Sequence, residues 1–189
     1  MEDLRILVAY ASVHGSTAEI ARSISLTLSR AGFDVDVLPV TEVQGVDGYN
    51  AVVLGSAVYA GRWRKDAYDF LERFAIDLKQ KDVWLFQSGP LGHSAQYIVR
   101  SLPTNMAALA QYLRVKGVAT FGGKLQRGVG GPIARFLERA GLAGDYRDFT
   151  EVRLWAEDVA RTTAMDVVNG KSPRNNDHPG QLSVSGGVR

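Results

Sequence analysis

Short apolar runs alternate along this chain with longer segments in which the apolar residues recur at helical spacing. The short runs are rich in Val, Ile, Leu and aromatic residues, which is typical of strands. In the first longer segment Ile20, Ile24 and Leu28 recur every four residues, forming one apolar stripe. The pattern predicts strands at residues 4–10, 33–40, 51–56, 83–88 and 118–121, and helices at residues 17–30, 65–78, 104–112, 132–140 and 149–168.

The order of these elements indicates an α/β fold. Strands that alternate with helices form a parallel sheet that is covered by helices on both faces. The third and fourth strands are almost continuously apolar, as expected when both faces are buried. We therefore predict a three-layer, doubly wound, five-stranded parallel sheet with strand order 2-1-3-4-5. In that order the ligand site lies in the loops after strands one, three and four.

The loop between the first strand and the first helix is small and rich in hydroxyl groups. The first N–H groups of a helix lack intrahelical partners, and hydroxyl side chains beside them suit a phosphate group. A second interpretation, that these side chains only cap the helix, stays open at this point. The predicted phosphate-binding residues are Ser12, Val13, His14, Gly15, Ser16 and Thr17.

The two other predicted loops offer small residues and aromatic rings. Glycines let backbone amides approach a planar ring closely, and an aromatic side chain stacks on one. A flat aromatic cofactor that carries one terminal phosphate would use all three loops. The predicted ring-binding residues are Ser56, Ala57, Val58, Tyr59, Ala60 and Gly61 in one loop, and Ser88, Gly89, Pro90, Leu91 and Gly92 in the other.

The motifs that are missing narrow the choice of ligand. The first loop lacks the Gly-Lys-Ser/Thr of a nucleoside triphosphate site and the Gly-x-Gly-x-x-Gly of a dinucleotide site. A mononucleotide is the ligand left by these exclusions. The chain has no cysteine, so thiol chemistry and iron–sulfur clusters are excluded and redox chemistry requires a bound cofactor. No catalytic side chain, hydrolytic arrangement or metal site is predicted.

Three segments together resemble a known family: residues 10–21, residues 53–62 and residues 121–125. They are similar to the flavodoxin superfamily, and within it most similar to the menaquinone-dependent protoporphyrinogen IX dehydrogenases. The resemblance covers roughly residues 4–164. It implies a flavodoxin-like fold, with FMN held at its phosphate by residues 12–17 and the isoalloxazine ring between the other two loops. It also implies an oxidoreductase that takes electrons from a reduced small molecule and passes them to a quinone-type acceptor.

Two other functions stay open at this stage. A flavodoxin would carry electrons between proteins, but such carriers are usually acidic, whereas this chain has a net charge of +2. A quinone reductase would take hydride from NAD(P)H. The cations Arg62, Arg64 and Lys65 at a predicted helix start are either a solvated surface only or a site for an anionic substrate or an acidic redox partner. The second interpretation would explain positive charge at a position where it opposes the helix dipole.

Several side chains have a structural and a functional interpretation. Tyr59 and Trp63 either stack on the ring or pack beneath the following helix, and Tyr59 is the stronger candidate for stacking because it is nearer the strand end. The face formed by Ile133, Phe136, Leu137 and Ala140 is either core or a membrane anchor, and core is the prediction.

Length and composition predict one domain, residues 1–168, followed by a mobile tail at residues 169–189. With 46% hydrophobic and 22% charged residues, and no apolar run of membrane-spanning length, we expect a cytoplasmic protein with at most peripheral membrane contact. The mild positive charge does not predict nucleic-acid binding. The oligomeric state cannot be read from the sequence.

Overall fold

The fold is known from a computed structural model, which describes residues 4–59, 61–89, 102–125, 128, 132–141 and 143–169. The long strands are β1 (Arg5–Ala11), β2 (Asp34–Pro39), β3 (Ala51–Tyr59), β5 (Asp82–Ser88) and β6 (Gly117–Phe121). Three strands of two residues each are β4 (Arg62–Trp63), β7 (Lys124–Leu125) and β8 (Gly144–Asp145). The helices are α1 (Ser16–Arg30), α2 (Lys65–Arg73), α3 (Ala75–Leu78), α4 (Thr104–Leu113), α5 (Pro132–Arg139) and α6 (Phe149–Val168).

The five long strands form one parallel sheet in the order β2-β1-β3-β5-β6. Counting only these long strands, the order is 2-1-3-4-5, so the predicted topology is confirmed. The strand β1 lies between β2 and β3, and this reversal of winding direction creates a crevice at the carboxyl ends of β1 and β3.

Two apolar clusters cover the sheet, one on each face. On one face Leu7 and Leu54 pack with Phe70 of α2 and Met106 of α4. On the other face lie the buried Ile20 stripe of α1 and the buried residues of α6. This arrangement confirms the predicted three layers. Each face alternates along the strands, since successive side chains point to opposite sides.

Other details differ from the prediction. The predicted helix at residues 65–78 is divided into α2 and α3 at Phe74, whose φ of −107° and ψ of 16° leave the helical region. The prediction of a core position for Phe136 is wrong, because its side chain is 70% exposed on α5, and Ala140 is exposed as well. The side chains of Ile133 and Leu137 are outside the described set.

None of the described helices is long and apolar enough to cross a membrane. The predicted tail lies outside the described residues from position 170 onward.

Candidate functional site

The phosphate-loop candidate is a tight connection between β1 and α1. Ala11 ends the strand and Ser16 begins the helix, so residues 12–15 make the whole turn. Gly15 has a φ of 84°, a left-handed conformation that favours glycine. The backbone N–H of Gly15 donates to Ser12 Oγ at 3.1 Å, which ties the loop to itself. The sequence motif therefore forms a compact loop that leads directly into the helix.

The N-terminus of α1 has no side-chain cap. Its first backbone hydrogen bond runs from the N–H of Glu19 to the carbonyl of Gly15, at 2.9 Å. The N–H groups of Ser16, Thr17 and Ala18 therefore precede the first intrahelical bond and point out of the helix end. The capping interpretation of this loop is wrong, and the helix end is open to an anion.

One hydroxyl group of the first turn, that of Ser16, fits the same ligand. Ser16 Oγ is buried and has no hydrogen-bond partner in the described part of the chain. A buried polar atom of this kind costs about 1–3 kcal/mol unless a ligand or water satisfies it. The hydroxyl of Thr17 lies 2.8 Å from Ser88 Oγ, and both residues are buried. This contact joins the first loop to the end of β5.

The second predicted loop is largely strand. The strand β3 runs to Tyr59 rather than Ser56 and turns back at Gly61, whose φ is 72°. Ser56 and Ala57 are therefore buried within the sheet. The hydroxyl of Ser56 accepts from the N–H of Arg64 and donates to the carbonyl of Ala57. Both bonds hold the turn after β3, and they support this structural role for Ser56 better than a role in binding a cofactor.

The two aromatic candidates, Trp63 and Tyr59, differ in how far they are buried. Trp63 is 4% exposed and packs in the cluster that contains Phe70, while its indole N–H donates to Gln87 Oε1 at 2.9 Å. Packing, rather than stacking on a ligand, is therefore its role. Tyr59 is 48% exposed at the end of β3, and partial burial raises the pKa of its hydroxyl despite the nearby Arg64.

The third predicted loop begins in contact with the second. Gly89 has a φ of 153°, and a Cβ built on it would lie 2.7 Å from the carbonyl oxygen of Val58. On its other side a Cβ on Gly123 would lie 2.9 Å from Gly89 Cα. Only glycine permits this approach of three backbone segments. Together with the contact between Thr17 and Ser88, it brings the described parts of all three predicted loops to the same edge of the sheet.

The predicted residues Ala60, Pro90, Leu91 and Gly92 lie outside the described residues. Val13 and His14 lie exposed in the first loop. Of the basic cluster, Arg64 pairs with Asp66 at 2.9 Å and Lys65 with Asp69 at 2.6 Å. In the described part of the chain Arg62 has no carboxylate partner, and it is exposed beside Tyr59 in the β3–β4 hairpin.

The structure adds residues that the motif search missed. Thr120 accepts from the amide of Gln87 at 2.9 Å, which extends the hydrogen-bonded row from Trp63 across β5 to β6. The segment before α6 also reaches the site edge, since the N–H of Tyr146 donates to the carbonyl of Gly123 at 3.0 Å. The glycine pair at positions 122–123 was the one available signal, because a Cβ on Gly122 would lie 1.8 Å from the Tyr146 carbonyl oxygen.

No group of metal-binding side chains occurs among the described residues. The orphaned Ser16 hydroxyl, the uncapped helix end and the glycine contacts behind the ring loops fit a phosphate joined to a flat ring. The residues present therefore fit a flavin mononucleotide.

Solved structures with the same fold include several flavodoxins. An archaeal flavodoxin is similar at 14% identity and a TM-score of 0.60, over 85% of this chain and 99% of that one. A Streptococcus pneumoniae flavodoxin is similar at 18% identity and a TM-score of 0.54, over 84% of this chain and 99% of that one. Rubredoxin oxygen:oxidoreductase of Desulfovibrio gigas is similar at 13% identity and a TM-score of 0.60, over 86% of this chain and 37% of that one. At these identities the likeness concerns the fold.

Among curated proteins, none matches the chain. A family model does: the flavodoxin domain Flavodoxin_5 matches residues 7–136, which include α1, the loop before it and the ends of β3 and β5. The chain therefore belongs to this flavodoxin domain family, and its cofactor is FMN, as the sequence predicted.

Proposed function

We propose that this protein is an FMN-dependent oxidoreductase of the protoporphyrinogen dehydrogenase type, with a quinone-type molecule as electron acceptor. The observation that carries the site is the buried, unpartnered Ser16 hydroxyl at the uncapped end of α1. A phosphate there accepts from this hydroxyl and from the N–H groups of the first helical turn.

The isoalloxazine ring is assigned to the space bordered by the ends of β3 and β5. Tyr59 is exposed at one side of this space, and the backbone around Gly89 is held against Val58 at the other. When bound, FMN supplies reversible one- and two-electron chemistry that no side chain of this cysteine-free protein provides. The protein's part is to hold the phosphate, orient the ring and leave one ring edge accessible to a reactant.

The substrate class rests on the sequence resemblance and on charge. Arg62, the one member of the basic cluster Arg62, Arg64 and Lys65 without a carboxylate partner in the described part of the chain, lies next to Tyr59 at the site edge. An exposed guanidinium there attracts a substrate that carries carboxylates, as the propionates of a porphyrinogen do. The quinone acceptor, and contact with the membrane surface in which quinones dissolve, belong to the same proposal.

The test is turnover by the FMN-loaded protein. Oxidation of protoporphyrinogen that depends on added menaquinone supports the proposal, whereas quinone reduction with NADPH alone assigns the protein to the nicotinamide-dependent reductases. Absence of both activities, with rapid electron exchange to a redox protein, assigns it to the electron carriers and overturns the proposal.

A charge variant sharpens this test. Arg62→Gln should raise KM for the porphyrinogen about three- to ten-fold with little change in kcat, since one exposed charge contributes roughly 1 kcal/mol to binding an anion. Arg73→Gln, at the opposite end of α2, is the matched control and should leave KM unchanged. Equal kinetics for Arg62→Gln and wild-type protein would remove Arg62 from the substrate site.

A further inference from the structure

An almost fully buried arginine contacts the first turn of the helix that follows the candidate phosphate loop. The side chain of Arg147 is 3% exposed and precedes α6, far along the chain from the phosphate motif. Its guanidinium contacts two carboxylates: Nη1 donates to Glu19 at 2.7 Å, and Nε and Nη2 donate to Asp145 at 2.7 and 2.6 Å. It also lies over the ring of Phe149, 5.0 Å from the ring centre. A buried cation of this kind requires such partners to offset its lost hydration.

The partner on α1 carries a charge of the same sign as the cofactor. Glu19 lies in the first turn of α1, and its Oε1 is 4.0 Å from where a Cβ on Gly15 would be. A carboxylate in the first turn is favourable for the free helix because it faces the positive end of the helix dipole. It is unfavourable for a phosphate dianion at the same helix end, because like charges repel.

Arg147 offsets that repulsion. The hydrogen bonds to Asp145 and then to Glu19 raise the pKa of Arg147 above its usual value, so the guanidinium is charged at every accessible pH. Asp145 lies opposite Lys124 in the register of β7 and β8, and hydrogen bonds from Arg147, with a smaller effect of the Lys124 charge, hold the pKa of Asp145 below its usual value. The positive charges of Arg147 and Lys124 therefore balance the negative charges of Asp145 and Glu19.

The arginine also connects the two halves of the site. Its neighbour Tyr146 bonds to Gly123, and Gly123 packs on Gly89 behind the proposed ring position. Arg147 therefore ties a segment next to the ring loops to the first turn of α1. If this tie acts only mechanically, its loss should weaken ligands with and without a phosphate alike. If it acts through charge, its loss should weaken only ligands that carry a phosphate.

We infer that Arg147 is a positioning residue for the FMN phosphate: it neutralises Glu19 beside the α1 N-terminus and so sets the affinity of the site for a dianion, without contacting it. The inference rests on the placement of the phosphate proposed above. It predicts that Arg147 affects FMN, and leaves riboflavin, which has the same ring and no phosphate, unaffected.

The test is fluorescence titration of the flavin-free protein with FMN and with riboflavin, for wild-type protein and four variants. Arg147→Gln should weaken FMN binding about five-fold, because the unpaired Glu19 carboxylate then repels the phosphate dianion at the same helix end. Its riboflavin affinity should stay within about two-fold of wild type, and the FMN defect should shrink in about 0.5 M salt.

The remaining variants separate charge from shape. Arg147→Lys keeps the charge and should keep most of the FMN affinity. Glu19→Gln, at an exposed position, should bind FMN at least as tightly as wild type. The double variant Arg147→Gln/Glu19→Gln should regain wild-type FMN affinity, because Glu19 no longer carries a charge beside the helix end and the remaining charges of Asp145 and Lys124 balance.

Three results would overturn the inference. These are equal losses for FMN and riboflavin, the absence of rescue in the double variant, and weaker FMN binding by Glu19→Gln. If Arg147→Gln does not fold, the titrations of Glu19→Gln and Arg147→Lys still test the inference. Binding constants are readable whether or not porphyrinogen turns over, so this inference and the proposed reaction fail separately.

Discussion

Removing the hydroxyl of Ser16 should change flavin affinity and protein stability in opposite directions. In the flavin-free protein Ser16 Oγ is buried without a partner in the described part of the chain, so its loss in Ser16→Ala removes a desolvation cost. The free energy of unfolding of the flavin-free variant should therefore stay equal or rise by up to about 1 kcal/mol.

The same substitution should weaken FMN. A hydrogen bond to a charged group contributes about 1.5–3 kcal/mol. At 1.4 kcal/mol for each factor of ten, the dissociation constant should rise about 10- to 150-fold. Riboflavin, which has no phosphate, should bind the variant and wild-type protein equally.

Two measurements check this prediction: flavin fluorescence titration and urea unfolding of the flavin-free protein. Ser25→Ala is the matched control, because this serine is on the same helix and its hydroxyl donates to the backbone carbonyl of Arg22. The control should bind FMN as wild type does. The reasoning is refuted if Ser16→Ala binds FMN within about two-fold of wild type, or if its flavin-free form is clearly less stable.

Three further predictions follow from buried contacts. Gly89→Ala should weaken FMN and riboflavin alike, measured by titration, because its Cβ would clash with the carbonyl of Val58; unchanged ring affinity would contradict this. Burial raises the pKa of Asp82, so ionisation of this carboxyl destabilises the folded protein as the pH rises above 3.8. The free energy of unfolding of Asp82→Asn, measured in urea, should therefore increase relative to that of wild-type protein as the pH rises. Trp63→Phe removes a buried donor to Gln87 and should lower the unfolding free energy by about 1–2 kcal/mol, with an unchanged melting curve as the contrary result.

The fold was readable from the sequence because local pattern and tertiary position agree. Every described residue of β5 is buried, so its apolar run carries the signal of a strand covered on both faces. The stripe of Ile20, Ile24 and Leu28 is fully buried, and α1 begins within one residue of its predicted start. Such strong periodicity leaves few alternatives for the main elements.

The site was only partly readable, for reasons of chain distance. The residues of the phosphate loop are contiguous in the sequence, so its glycine and hydroxyl side chains form a recognisable motif. Ser88 reaches Thr17 across 71 positions and Arg147 reaches Glu19 across 128 positions, and no local pattern encodes such contacts. The extension of β3 to Tyr59 was missed because its continuation depends on pairing with β4, two residues long, after the turn at Gly61.

The break in the helix at Phe74 had no local breaker such as Gly or Pro. The ring of Phe74 contacts the ring of Phe70 edge-on, with 5.1 Å between the ring centres, and the guanidinium of Arg73 lies 4.8 Å from the centre of the Phe74 ring. Phe74 is also buried in the core cluster on the α2 face of the sheet, and this tertiary packing outweighs the continuous helical propensity of the segment.

The central claim is that the FMN phosphate lies at the N-terminus of α1, and amide chemical shifts of the labelled protein test it most directly. On addition of FMN, the backbone N–H signals of Ser16, Thr17 and Ala18 should shift strongly, because these groups are open to an anion. Riboflavin should shift signals near Tyr59 and Gly89 while leaving the α1 amides nearly unchanged. Equal α1 shifts with both flavins, or none with FMN, would contradict the account.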